Sequence, residues 1–238
     1  MVKYNILSTK KLDPLLIEKA NANHVDIVEQ QAIQINPVLT REQLKEIEFL
    51  FKGSQPKHII FTSSNAVEIV AGHLQDCVLS PSNWKVFCIE GKTKESVQSS
   101  WNDVEILETA AYGKILATKI LNHHIKEAYF FCGNIRRDEL PEILKKAGIQ
   151  LYETVVYETI LHPIKIEGEY DAILFFSASA VESYFSMNKI NAGTICFSIG
   201  ETTSSAIRNF TRNNIITSQV PTQEKMIEEV LNHFCVHP

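Results

Sequence analysis

Short apolar runs of strand length recur along the chain between segments of helical period. They lie at about 5–7, 24–29, 57–62, 85–89, 104–107, 128–132, 171–176, 194–199 and 214–216. They read as strands buried on both faces. Between them, apolar residues three and four positions apart predict helices over 14–22, 41–52, 65–74, 92–99, 115–122, 140–147, 179–185, 202–210 and 223–233. This regular alternation predicts an α/β class with parallel sheets covered by helices on both sides.

The pattern also repeats. His58-Ile-Ile-Phe-Thr-Ser-Ser-Asn-Ala-Val-Glu68 lines up with Ala172-Ile-Leu-Phe-Phe-Ser-Ala-Ser-Ala-Val-Glu182, 114 residues further on. Phe87-Cys-Ile-Glu-Gly-Lys-Thr93 resembles Phe197-Ser-Ile-Gly-Glu-Thr-Thr203 at an offset of 110. Such self-similarity predicts two like lobes. The β-prone segments 33–38 and 152–160 fit neither lobe, and pairing them antiparallel connects the two. The expected path is therefore a discontinuous lobe one (1–32 and 163–238), a linker ladder (33–38 and 152–162), and lobe two (39–151).

Composition narrows the class. The chain has 238 residues, 45% of them apolar and 21% charged, with 9 Gly and 8 Pro, as an ordinary globular protein does. A net charge of −5 and a pI near 5.9 argue against a nucleic-acid partner, which asks for a basic face. The five cysteines (Cys77, Cys88, Cys132, Cys196, Cys235) form no CxxC pair and read as reduced thiols in a cytoplasmic protein. No signal peptide and no membrane span are expected, since no run approaches about 18 apolar residues. A monomer is the default.

Each repeat is a buried strand, a hydroxyl-rich turn and a helix. Asn65 and Ser179 are placed to be N-caps, with Glu68 and Glu182 three residues on, as in a capping box. Thr62, Ser63, Ser64 and Ser177 precede those caps and sit where strands end and helices begin. Thr93 and Thr202-Thr203 mark a second such turn in each copy. Ligands of open α/β sheets bind at the carboxyl ends of strands, and helix N-termini favour anions, so a carboxylate or phosphate ligand is expected.

Other chemistry is sparse. Neither GxxxxGK[ST] nor GxGxxG occurs, so no nucleotide cofactor is indicated. His123-His124 fall at a helix end rather than in a metal cluster. In Gly133-Asn-Ile-Arg-Arg-Asp-Glu-Leu140, Arg136 and Arg137 are within reach of an anion or form a solvated first turn. Tyr157 in the return strand reads on general grounds as packing.

Taken together, Phe61-Thr-Ser-Ser-Asn-Ala-Val67, Gly133-x-x-x-Arg137-x-x-Leu140 with Gly148, Tyr157-Glu-Thr159, Phe175-Phe-Ser-Ala-Ser-Ala-Val181 and Ile199-Gly-Glu-Thr-Thr203 resemble the uroporphyrinogen-III synthase family over nearly the whole chain. The resemblance implies two flavodoxin-like lobes joined by a two-stranded β ladder. It implies a lyase that closes hydroxymethylbilane to uroporphyrinogen III with loss of water and inversion of the last ring, using no cofactor and no metal. It implies substrate contacts at Thr62, Ser63, Ser64, Gly133, Arg137, Ser177, Gly200, Thr202 and Thr203, and a catalytic role for Tyr157.

Two residues depart from the family pattern. Glu90 stands where glycine is usual, which makes Thr93 a less secure contact, and Ala178 stands where proline is frequent. The alternative of another class is a non-catalytic two-lobe binding protein for a small polycarboxylate.

Overall fold

The computed structural model describes residues 3–50, 55–76 and 81–235; Cys77 and the end of the helix expected over 41–52 lie outside them. The elements are, in order, β1 (Tyr4–Ser8), α1 (Pro14–Ala22), β2 (Val25–Glu29), β3 (Ile33–Pro37), α2 (Arg41–Phe49), β4 (Lys57–Phe61) and α3 (Ser64–Asp76). There follow β5 (Trp84–Ile89), α4 (Lys92–Ser100), β6 (Glu105–Ala110), α5 (Gly113–Leu121), β7 (Glu127–Gly133), α6 (Glu139–Lys146) and β8 (Gln150–Leu161). The chain closes with β9 (Ala172–Phe175), α7 (Ala178–Met187), β10 (Ile195–Ser198), α8 (Glu201–Arg208), β11 (Ile215–Thr217) and α9 (Gln223–Cys235).

Two compact units result. The first combines the chain up to Gln34 with that from Ile160, and the second is Ile35–Thr159. The first carries a five-stranded sheet in the order β11-β10-β9-β1-β2, with its pairs parallel. A six-stranded sheet in the order β3-β8-β7-β4-β5-β6 is parallel from β8 through β6.

The continuous apolar runs have the predicted cause. In β4, Ile59 and Phe61 enter one core cluster and Ile60 the opposite one. In β9, Ala172 and Leu174 face one side while Ile173 and Phe175 face the other. Side chains alternate across a strand, so a strand with helices on both faces must be apolar at every position. Aromatic packing locks the second unit: Phe61 and Phe131 stack at 5.6 Å, and Trp84 meets Trp101 edge-on at 5.5 Å.

The two β-prone segments do neighbour each other, as β3 and β8. Val38 N–H donates to the Val156 carbonyl at 3.1 Å and His162 N–H to the Ala32 carbonyl at 2.9 Å. One strand advances as the other retreats, which is the antiparallel sense. The strand expected over 152–160 is longer, however, and pairs parallel with β7 from Gln150 opposite Glu127 to Tyr157 opposite Gly133. Its apolar centre follows from that inner position, with Val155 packed on one core cluster and Val156 buried in the other.

Candidate active site

The hydroxyl-rich turns are built differently from the sequence expectation. After β4, the Ser63 Oγ accepts the Asn65 N–H at 3.2 Å. After β9, Ser177 is the N-cap of α7 and accepts the Ala180 N–H at 3.0 Å. The caps are thus Ser63 and Ser177, two residues earlier than the expected Asn65 and Ser179, because the helices begin directly after the strands end. Glu68 closes no capping box at Asn65; its carboxylate lies 3.4 Å from Lys92 and 3.5 Å from the Ser96 hydroxyl of α4. Released from capping, the Asn65 side chain lies near enough to the Tyr157 phenol to favour its ionised form.

Tyr157 is the centre of the second unit's site. Pairing of β7 with β8 shifts between Cys132 and Gly133, so Val156 is the extra residue of a bulge and Val156 and Tyr157 enter the same core cluster. The Asn134 N–H donates to the Tyr157 carbonyl at 3.0 Å, and the Asn134 Oδ1 accepts the N–H groups of Thr159 at 2.8 Å and Ile135 at 2.9 Å, which pins the bulge. The phenol donates to Ser63 Oγ at 3.0 Å. Burial pushes its pKa above the ordinary 10, against the opposing pull of Ser63 and Asn65. The phenol is therefore a neutral donor throughout the physiological range.

Beside it lies a cavity of about 300 Å³, lined by Thr62, Ser63, Tyr112, Gly113, Gly133, Ile135, Arg136, Arg137, Glu139, Leu140 and Tyr157, with Ile89 and Phe130 also on its wall. The starts of α3, α5 and α6 all reach this space. Tyr112 caps α5 and Asp138 caps α6 without a side-chain hydrogen bond to the helix, so their first-turn N–H groups keep their attraction for an anion. Of the two arginines, Arg136 is paired with Glu153 and Asp138, and Lys145 completes that network at 2.6 Å from Glu153. Arg137 is the second guanidinium on the wall.

The first unit offers a second set of turns. Phe175 of β9 lies opposite Ser198 of β10, which sets Ser177 and Gly200 on neighbouring turns. Gly200 caps α8; Thr202 on the first turn is exposed, whereas Thr203 is buried, 3% exposed, with its N–H on the Gly200 carbonyl at 3.0 Å. In the other copy Gly91, at φ 71, caps α4, a conformation glycine adopts without strain. The capping glycine is present after all, one residue beyond Glu90. Glu90 itself is exposed, with its N–H on the Ala110 carbonyl at 3.0 Å, and Thr93 is buried.

The structure thus brings Thr62, Ser63, Gly133, Arg137 and Tyr157 to one cavity. Ser64 starts α3 without lining it, and Ser177, Gly200, Thr202 and Thr203 belong to the other sheet. Sequence reasoning passed over Tyr112 and Ile135; the signal was an aromatic residue directly before the first turn of a helix in one case and an apolar side chain in an otherwise polar turn in the other. It also passed over Lys10, whose Nζ lies 5.9 Å from the centre of the Phe176 ring next to Ser177. Among the described residues no group of three or more His, Cys, Asp or Glu could hold a metal, and His123 faces Glu108 at 3.5 Å.

In the second unit the strand-end turns of a parallel sheet gather hydroxyls, helix N-termini and a guanidinium around a protonated phenol, the arrangement that open α/β folds offer to an acidic small molecule. A family model described as uroporphyrinogen-III synthase HemD matches residues 16–228, and the chain belongs to that family. The uroporphyrinogen-III synthetase of Helicobacter pylori superposes with a TM-score of 0.65 at 16% identity, covering 97% of this chain and 99% of that one. A mutant uroporphyrinogen III synthase of Thermus thermophilus gives 0.68 at 13% identity, with 97% of each chain covered. At such identities the likeness is one of fold.

The family fixes the activity: a lyase (EC 4.2.1.75) of haem biosynthesis that closes hydroxymethylbilane to uroporphyrinogen III with loss of water and inversion of ring D. A non-catalytic binding protein is not favoured. Among the described residues no helix is long and apolar enough to cross a membrane.

Proposed function

We propose that Tyr157 is the catalytic residue, donating a hydrogen bond to the departing hydroxyl of the bilane, and that the strand-end turns hold its acidic arms. The observation that carries this is the buried, protonated phenol on the wall of the anion-attracting cavity. Thr62, Ser63, Gly133 and Arg137 meet carboxylates from the second unit. Ser64, Ser177, Gly200, Thr202 and Thr203 contribute through helix-start N–H groups, with the exposed Thr202 adding its hydroxyl.

The C–O bond breaks with the hydroxyl leaving as water, which generates an electron-poor azafulvene. Its carbon bonds to the substituted position of the far ring, and the resulting spiro intermediate fragments and recloses with that ring reversed. The proton lost from the closing pyrrole balances the one taken by water. Uncatalysed closure gives the unreversed isomer, so orientation of the chain ends is the main task. Acid catalysis of the departure adds typically about 10²–10⁴-fold.

The units serve as lobes over 1–32 with 163–238 and over 39–151, the ladder at 33–38 and 152–162 joining them; the unit boundaries at Gln34/Ile35 and Thr159/Ile160 support this. The protein works as a cytoplasmic monomer without nucleic acid, in keeping with its net charge of −5 and the free thiols Cys88, Cys132, Cys196 and Cys235.

The experiment supplies freshly made hydroxymethylbilane and reads the ratio of isomers III and I with kcat and KM. Tyr157→Phe is expected to lower kcat with product affinity unchanged, and Arg137→Gln to raise KM. Wild-type kcat in Tyr157→Phe removes Tyr157 from the mechanism.

A further inference from the structure

We infer that the cavity of the second unit holds a single pyrrole ring of the bilane, gripped between Tyr112 and Ile135, with the ring's acidic arms met by Arg137 and the helix starts. This deepens the site reading above and rests on it.

Tyr112 and Ile135 are 59% and 57% exposed, and both border the cavity. Each breaks a local rule. Tyr112 occupies the N-cap of α5, where a small hydroxyl or carboxamide side chain would satisfy the first N–H groups, and it makes no such bond. Ile135 stands between Asn134 and Arg136 in a polar turn, with its own N–H tied to the Asn134 Oδ1 at 2.9 Å, so the backbone holds the side chain in place. Breaches of local preference that packing does not explain mark functional positions.

The cavity is two-sided in chemistry. Ile89, Phe130 and Leu140 provide apolar wall, while Arg137, Ser63 and Tyr157 provide polar wall. An inorganic anion would leave the apolar side unused, and a purely apolar ligand would leave the polar side unused. A pyrrole with acetate and propionate arms uses both, since its electron-rich face packs on Tyr112 and Ile135 and its arms are anionic. Size selects one ring. About 300 Å³ lies at the lower end of the roughly 300–1,000 Å³ of small-molecule sites.

The probe is opsopyrrole dicarboxylic acid, a monopyrrole with one acetate arm, one propionate arm and no leaving group. It is expected to bind the full chain in a calorimetric titration and to compete with the bilane. Tyr112→Ala and Ile135→Asn should each weaken it about fivefold or more and raise the bilane KM with a smaller change in kcat. Tyr112→Phe should retain affinity, because the ring makes the contact. Both positions are exposed, so melting temperatures should stay close to wild type.

A probe that neither binds nor competes, or that binds both apolar-rim variants as well as wild type, overturns the ring pocket even if isomer III is formed. A wild-type protein yielding only isomer I overturns the site reading instead. Monopyrrole binding still decides the pocket in that case.

Discussion

Gly133 and Tyr157 face each other across the β7–β8 pair so closely that a Cβ on residue 133 would stand 2.5 Å from the Tyr157 Cζ and 2.8 Å from its hydroxyl oxygen. The glycine is required by space, because the ring fills the volume any other side chain would need. It acts as a positioning residue that lets the phenol lie flat against β7 and reach Ser63.

Gly133→Ala should therefore destabilise by about 1–3 kcal/mol, as overpacking does, and lower kcat by displacing the phenol. The same change in a Tyr157→Ala background should cost well under about 1 kcal/mol. Urea denaturation of the four proteins measures the coupling, and equal costs in both backgrounds would disprove the contact.

The raised phenol pKa sets a pH expectation. Tyr157 keeps its proton from neutral pH to about 9, so kcat should show no loss from this group over that range. A folded-state pKa above the unfolded value contributes stability that is complete below about 10 and is lost as pH rises through the folded pKa. Alkaline denaturation should start at lower pH in wild type than in Tyr157→Phe, once each is referred to its own neutral stability.

Ser177→Ala and Ser63→Ala remove N-caps and should each cost about 1 kcal/mol, within a range of roughly 0.5–2. Ser63→Ala should also depress kcat, since the phenol loses its 3.0 Å partner. Asn65→Ala and Ser179→Ala should show no capping loss. Thermal melts of the four variants distinguish the caps observed from those the sequence suggested.

His58, on β4, has its pKa lowered from 6.5, chiefly by burial, with His123 and Lys85 pushing the same way and Glu127 opposing. The unfolded chain then binds the proton more readily, so stability falls as pH drops from about 6.5 through the lower folded value. His58→Gln should flatten the melting temperature between neutral pH and about 5. A slope identical to wild type would assign the acid sensitivity to other groups.

Much was legible in the sequence because it is local or periodic. Doubly apolar strands such as Ile59-Ile60-Phe61 must be buried on both faces wherever they pack, so the α/β class and the placing of anion-binding turns at strand ends needed no coordinates. The repeat and the family motifs fixed the reaction.

Tertiary structure alone decided which hydroxyl caps which helix, since Ser63 and Asn65 are equally able cap residues and only the end of β4 selects between them. It decided that β8 is an inner strand of the second sheet, that a bulge turns Tyr157 into the core, and that Gly133 is bare to receive it. These depend on pairing between segments more than twenty residues apart in sequence, and such register is a property of the assembled sheet. The exposed apolar pair Tyr112 and Ile135 became meaningful only once the fold brought both to the rim of one cavity.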